Sequence, residues 1–141
     1  MARLKEIVVS CASPQRLARF WAGVLRDYMV RPYDAAEIAR LAAAGLTPDS
    51  DPVVMVDGPG PSLCFQRAPA TSGTGVARGA APGTGRQTIH LDIVGAARPA
   101  EVARIMALGG RVRDENRGYT VMLDPEGNAF CVQDPPSESV A

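Results

Sequence analysis

The sequence predicts an α+β fold made of two copies of one strand-and-helix unit, and three observations carry that prediction. Residues 53–69 laid on residues 120–136 at a constant offset of 67 give seven identities in seventeen ungapped positions, among them Val54 with Val121, Met55 with Met122, Asp57 with Asp124, Cys64 with Cys131 and Gln66 with Gln133. Each copy reads as a strand, a turn containing Asp, Gly and Pro, and a second strand, which is hairpin chemistry. Upstream of each hairpin lies another strand followed by a stretch of helical periodicity, so each half runs strand, helix, strands. A chain of 141 residues that is 46% apolar has the size of one ordinary domain and buries about two-thirds of its unfolded surface.

Residues 4–11, LKEIVVSC, form the first strand, and alternation sends Ile7, Val9 and Cys11 to one face and Glu6, Val8 and Ser10 to the other. Ser13 and Pro14 then supply an N-cap and a proline at the first helical position. Leu17, Phe20, Trp21, Val24 and Leu25 recur at helical spacing and are read as core packing. Asp34 and Glu37 have the spacing of a capping box and Gly45 stands where a C-cap belongs, which predicts an inserted helix near 34–45. In the hairpin strands Leu63, Phe65, Phe130 and Val132 go to the core, while Cys64, Gln66, Cys131 and Gln133 take the opposite face.

The stretch 70–85, ATSGTGVARGAAPGTG, is small and flexible and reads as a linker or lid between the halves. No Gly-Lys-Ser/Thr follows its glycines, which disfavours a phosphate loop; Arg78 and Arg86 are solvated or, if the stretch closes as a lid, meet an anionic ligand. The second half starts at 86 with the strand TIHLDIV, whose Ile89, Leu91 and Ile93 cover a helix and whose His90 and Asp92 face away from it. PAEVARIMALGG follows as the helix, with Val102, Ile105 and Met106 inward and Gly109-Gly110 at its C-terminal end. Tyr119, after Gly118, opens a strand at the rim of the polar face, and 135–141 is a tail.

Fifteen basic and fifteen acidic side chains cancel, so no global field favours nucleic acid or an anionic membrane. Apolar runs such as Ile7-Val8-Val9 are far too short to span a bilayer, and no signal-like N-terminal segment is present; a cytoplasmic location is expected. Cys11, Cys64 and Cys131 lack CxxC spacing and are odd in number, which fits free thiols in a reducing compartment.

The segments VSCASPQRLARFWAGVL, IHLDI and LDPEGNAFCVQ resemble glyoxalase-like proteins of the vicinal oxygen chelate superfamily, which includes glyoxalase I, extradiol dioxygenases and bleomycin-resistance proteins. The resemblance implies two βαβββ modules, 4–69 and 86–134, in one domain spanning 1–141, with a curved mixed sheet around a cavity. It also implies that the ligand positions of metal-dependent relatives fall on Glu6, Cys64, His90 and Cys131. Of these only His90 keeps the usual identity, and two thiols stand where carboxylates hold a hard cation. Zinc accepts such donors, but a closed soft set leaves no open position, so no metal and no cofactor are expected.

The expected ligand-binding residues are Glu6, Ser10, Cys64, Gln66, His90, Asp92, Tyr119, Cys131 and Gln133, in one solvent-connected cavity. Three functions are compatible with this pattern: a metal-free binder that sequesters a drug or metabolite, a lyase- or isomerase-type enzyme using Glu6 and His90 for acid–base catalysis with or without a divalent metal, and an interaction module that has lost its pocket. The first is favoured, with a small-molecule ligand, no nucleic-acid or membrane partner, and a homodimer of the kind the superfamily forms.

Overall fold

The computed structural model describes residues 1, 3–68 and 91–137. The expected linker at 70–85 with Arg78, the opening of the second half at 86–90 with Arg86, Ile89 and His90, and the end of the tail lie outside the described residues. Two units divide the chain, Met1–Ser72 and Gly73–Ala141. The first contains β1 (Glu6–Cys11), α1 (Pro14–Val24), β2 (Met29–Val30), α2 (Ala35–Ala43), a 3-10 turn at Pro48–Ser50, β3 (Val53–Asp57) and β4 (Ser62–Arg67). The second contains β5 (Leu91–Val94), α3 (Arg98–Ala107), β6 (Arg111–Asn116), β7 (Tyr119–Leu123) and β8 (Ala129–Gln133). Their sheets run β1-β4-β3-β2 and β5-β8-β7-β6, each with one parallel pair, β1 with β4 and β5 with β8, and antiparallel pairs elsewhere. Each unit is therefore a βαβββ module, and the chain is an α+β fold of two such repeats.

The parallel pair needs a crossover connection, and in each unit the helix provides it. Pro14 starts α1, with Ser13 at the N-cap position although its side chain makes no capping bond. Leu17, Phe20, Trp21 and Val24 bury the inner face of α1, against the sheet face of Val54, Val56, Leu63 and Phe65; all eight are at most 5% exposed. Phe20 and Trp21 meet edge to face at 5.4 Å.

The inserted helix forms as its caps dictate. Asp34 accepts from the Glu37 N–H at 2.8 Å, and Glu37 reaches back to the Asp34 N–H at 3.4 Å. At the other end Gly45, at φ 72°, donates to the Ala42 carbonyl and Leu46 to the Leu41 carbonyl. The same C-terminal motif closes α3, where Gly109, at φ 109°, donates to Met106 and Gly110 to Ile105. Val102 and Ile105 are buried, but Met106 is 52% exposed, contrary to its expected inward placement. Met106 lies 100° round the helix from Ile105, and the stripe that α3 buries is only Val102 and Ile105 wide.

Register corrects one feature of the repeat. Val8 pairs with Cys64 and Asp92 with Cys131, so the offset of 67 holds for the last strand of each unit. In the hairpins, however, Met55 pairs with Cys64 while Val121 pairs with Cys131. Met55 is thus the structural counterpart of Val121, and the identities Met55/Met122 and Val54/Val121 fall on opposite faces. The turn absorbs the slip: residues 57–62 lie between Val56 and Leu63, whereas residues 123–129 lie between their counterparts Met122 and Phe130. Because side chains alternate with a period of two, one extra residue turns each identical pair to different sides.

Candidate functional site

In each unit one sheet face is covered by the helix and the other carries the polar side chains singled out from the sequence. On the first, parallel and antiparallel partners place Val8, Cys64 and Met55 in one row, Ser10, Gln66 and Val53 in the next, and Glu6 beside Ser62. All lie on the face opposite the buried row of Leu63 and Phe65. In the second unit Asp92, Cys131, Val121 and Asp114 form one row, and Val94, Gln133, Tyr119 and Asn116 another, opposite the buried Phe130 and Val132.

Glu6 is half-buried, and Ser10, Gln66, Asp92 and Gln133 are exposed. Tyr119 is 41% exposed, and Cys64 only 7%. Burial pushes the Cys64 thiol up, and the nearby Glu6 carboxylate adds to it; Cys131 is raised likewise by burial and then by Asp92. Both thiols are therefore held in their neutral form at pH 7, as small weakly polar groups rather than nucleophiles. His90 lies outside the described residues.

One cluster on this face was not anticipated. Arg31 grips Asp57 with two parallel bonds, Nε to Oδ2 at 2.7 Å and Nη2 to Oδ1 at 2.9 Å, and the Ser62 hydroxyl donates to Oδ1 at 2.6 Å. Arg31 and then Ser62 hold the Asp57 carboxyl down at about 2. A second cluster joins the insertion to the sheet: the Tyr33 hydroxyl donates to Asp51 Oδ2 at 2.9 Å and the Val53 N–H to Oδ1 at 2.9 Å. Burial, then this hydrogen bond, pushes the Tyr33 phenol up to about 12. Arg31 follows a strand of two residues, too short for alternation to assign it a face; the brief Met29-Val30-Arg31 pattern ahead of Pro32 is the only signal it leaves.

The Asp-Pro-Glu-Gly-Asn run that carried much of the resemblance is a structural turn. Asp124, fully buried, accepts the N–H groups of Glu126 and Asn128 at 2.9 Å each and the Asn128 amide at 2.7 Å, while Gly127 supplies φ 85°.

A family model described as Glyoxalase-like domain matches residues 6–133. The chain belongs to the glyoxalase-like domain family. Among solved structures, a glyoxalase family protein from Bacillus cereus is 13% identical with a TM-score of 0.64, over 95% of this chain and 94% of that one. The fosfomycin resistance protein FosX from Listeria monocytogenes is 12% identical with a TM-score of 0.59, over 98% and 94%. The trypanothione-dependent glyoxalase I from Leishmania major is 16% identical with a TM-score of 0.55, over 95% and 87%. At these identities the likeness is one of fold. No curated protein matches the chain.

Among the described residues no three His, Cys, Asp or Glu side chains are grouped to hold an ion. Burial raises the thiols of both Cys64 and Cys131, so each must lose a proton from a disfavoured state before binding a metal. Among the described residues, the thiols at 64 and 131 are soft donors that do not suit a hard divalent cation. No helix among the described residues is long and apolar enough to cross a membrane.

Proposed function

We propose that this glyoxalase-like protein binds a small organic molecule without a metal, on the sheet faces opposite its helices, and sequesters a drug or metabolite. The observation that carries this reading is unspent polar capacity. Among the described residues the side chains of Glu6, Ser10, Gln66 and Gln133 make no hydrogen bond or ion pair, whereas Asp51, Asp57 and Asp124 are each fully engaged. Those unpaired groups border Val8, Met55, Cys64 and Tyr119, the mixture of apolar wall and few polar anchors that suits a small ligand. His90, Asp92 and Cys131 complete the proposed set. The neutral thiols at 64 and 131 support binding over metal-assisted chemistry. The same reading takes the protein as a cytoplasmic homodimer formed from 4–69 and 86–134 modules joined by a linker, which sedimentation equilibrium tests.

Glu6 favours a second reading. A half-buried carboxylate without a partner is able to take a proton from a ligand, and with His90 it would form the acid–base pair of a lyase or isomerase. Native mass spectrometry of protein purified without added metal tests the metal-free binder reading. The expected result is a small organic molecule released on denaturation, no stoichiometric transition ion, and ligand retained after chelation. About one zinc or iron per chain, lost in His90→Ala, overturns the binder reading in favour of a metalloenzyme.

A further inference from the structure

The inserted helix α2 has no counterpart in the second unit, where α3 leads directly to β6. It stands over the face of β3 that α1 leaves open, because Leu41 of the helix lines one recess of about 240 Å³ together with Val53 and Met55. Ala44, Leu46 and Pro52 extend its apolar lining. An apolar cavity of about 150 Å³ already holds benzene, so the recess has room for one ring.

The recess continues onto the sheet face proposed above for a ligand. Met55 lies in one row with Cys64 and Val8, and Val53 in the next with Gln66 and Ser10. Two strand spacings, about 10 Å, separate Met55 from Val8, and Glu6 is the next side chain on the same face of β1. The charge of Glu6 is felt both at Cys64 and at Arg31.

The charges around this path are unbalanced. Arg31 is spent on Asp57, and Asp51 has both oxygens occupied, by Tyr33 and the Val53 N–H. At the recess the guanidinia of Arg31 and Arg40 are outnumbered by the carboxylates of Glu37, Asp51 and Asp57, and Glu6 adds a further carboxylate on the open face. Lys5, which Cys64 also feels, is exposed ahead of β1, where solvent screens it. Glu6 is half-buried and, among the described residues, has no hydrogen-bond or ion-pair partner. A carboxylate partly withdrawn from water gains most from a donor that carries positive charge.

We propose that the ligand of the first unit is an amphiphilic monocation, with a single ring seated in the recess between α2 and β3 and an ammonium bound by Glu6. This rests on the reading that the sheet face binds a small organic molecule, and it names the chemical class. The test titrates the intact protein with 4-phenylbutylamine, its neutral and anionic analogues 4-phenylbutanol and 4-phenylbutyrate, and butylamine, following backbone amide shifts by NMR. The aryl amine is expected to saturate with a Kd of about 1 mM or tighter, moving amides of 6–10, 41–46 and 53–55 together. The alcohol and butylamine each lack one anchor and should bind at least about tenfold more weakly, and the butyrate should not saturate. Glu6→Gln should abolish the preference for the aryl amine over the alcohol. Ala44→Phe, at an exposed helix end, should fill the recess and weaken both by at least about tenfold. Equal binding of aryl amine and alcohol, an unchanged preference in Glu6→Gln, or an unchanged affinity in Ala44→Phe each overturns the proposal. Saturation by the alcohol or the butyrate without the amine also overturns it, while leaving the face a binding site. Silence of every probe overturns it too, and overturns the wider reading as well if the native protein releases no small molecule.

Discussion

Asp57 and Asp124 stand at the same place in the sequence repeat, one at the end of β3 and the other just beyond β7, and different parts of the chain hold them. Asp57 is bonded by Arg31, which follows β2, and by Ser62 across the turn, and its side chain stays 36% exposed. Asp124 is fully buried and accepts three hydrogen bonds from Glu126 and Asn128 of its own turn. The first turn instead leans on Tyr28, whose ring would lie 2.4 Å from a Cβ at Gly58 and whose hydroxyl donates to the Pro61 carbonyl. A repeated residue thus keeps its chemistry and changes its partners: Asp57 draws on a residue that follows a neighbouring strand, Asp124 on residues of its own turn.

The largest test of this contrast is the pair of methionines separated by the register slip. Met122 has no exposed surface and pairs with Phe130, so Met122→Ala is expected to cost about 2–5 kcal/mol by urea unfolding. Met55, half-buried on the opposite face, should cost less than about 1.5 kcal/mol on the same change. Equal losses would mean that the hairpins share one register.

The aspartates rank next. Asp124→Ala leaves two part-buried N–H groups and an amide without their acceptor, an expected loss of about 2–4 kcal/mol. Asp57→Ala breaks an ion pair whose partners are 47% and 36% exposed, and solvent screening limits the loss to about 1 kcal/mol. The Asp57 contribution also has a pH signature. Its pKa falls from 3.8 to about 2 on folding, so its stabilisation is fully present above about pH 4 and is lost as the pH drops towards 2. Acid titration of Asp57→Asn should lack that component, and an identical acid slope in both proteins would refute the assignment.

The smallest expected difference lies between the repeated thiols. Both should react with a disulfide reagent more slowly than free cysteine at pH 7.5 and speed up as pH rises, because burial raises both. Cys131, the less buried, should label before Cys64, as peptide mass mapping over time would show. Faster labelling of Cys64 would place it on a more open surface than its 7% exposure gives.

Local rules written in adjacent residues were legible before any coordinates. Alternation assigned Leu63 and Phe65, and Phe130 and Val132, to the buried face, and Cys64, Gln66, Cys131 and Gln133 to the other. The capping box at Asp34 and Glu37 and the glycines at 45 and 109 marked helix ends where they occur. These features need only a few neighbouring residues, which is why one sequence suffices to find them. Tertiary structure alone decided three others. It slipped β7 by one residue against its repeat, because a turn's length is read from pairing and not from aligned identities. It left Met106 in solvent, because the width of a buried stripe depends on what the helix covers. It also joined Arg31 to Asp57 and Tyr33 to Asp51 across 26 and 18 residues of chain, contacts between side chains whose partners no local period can name.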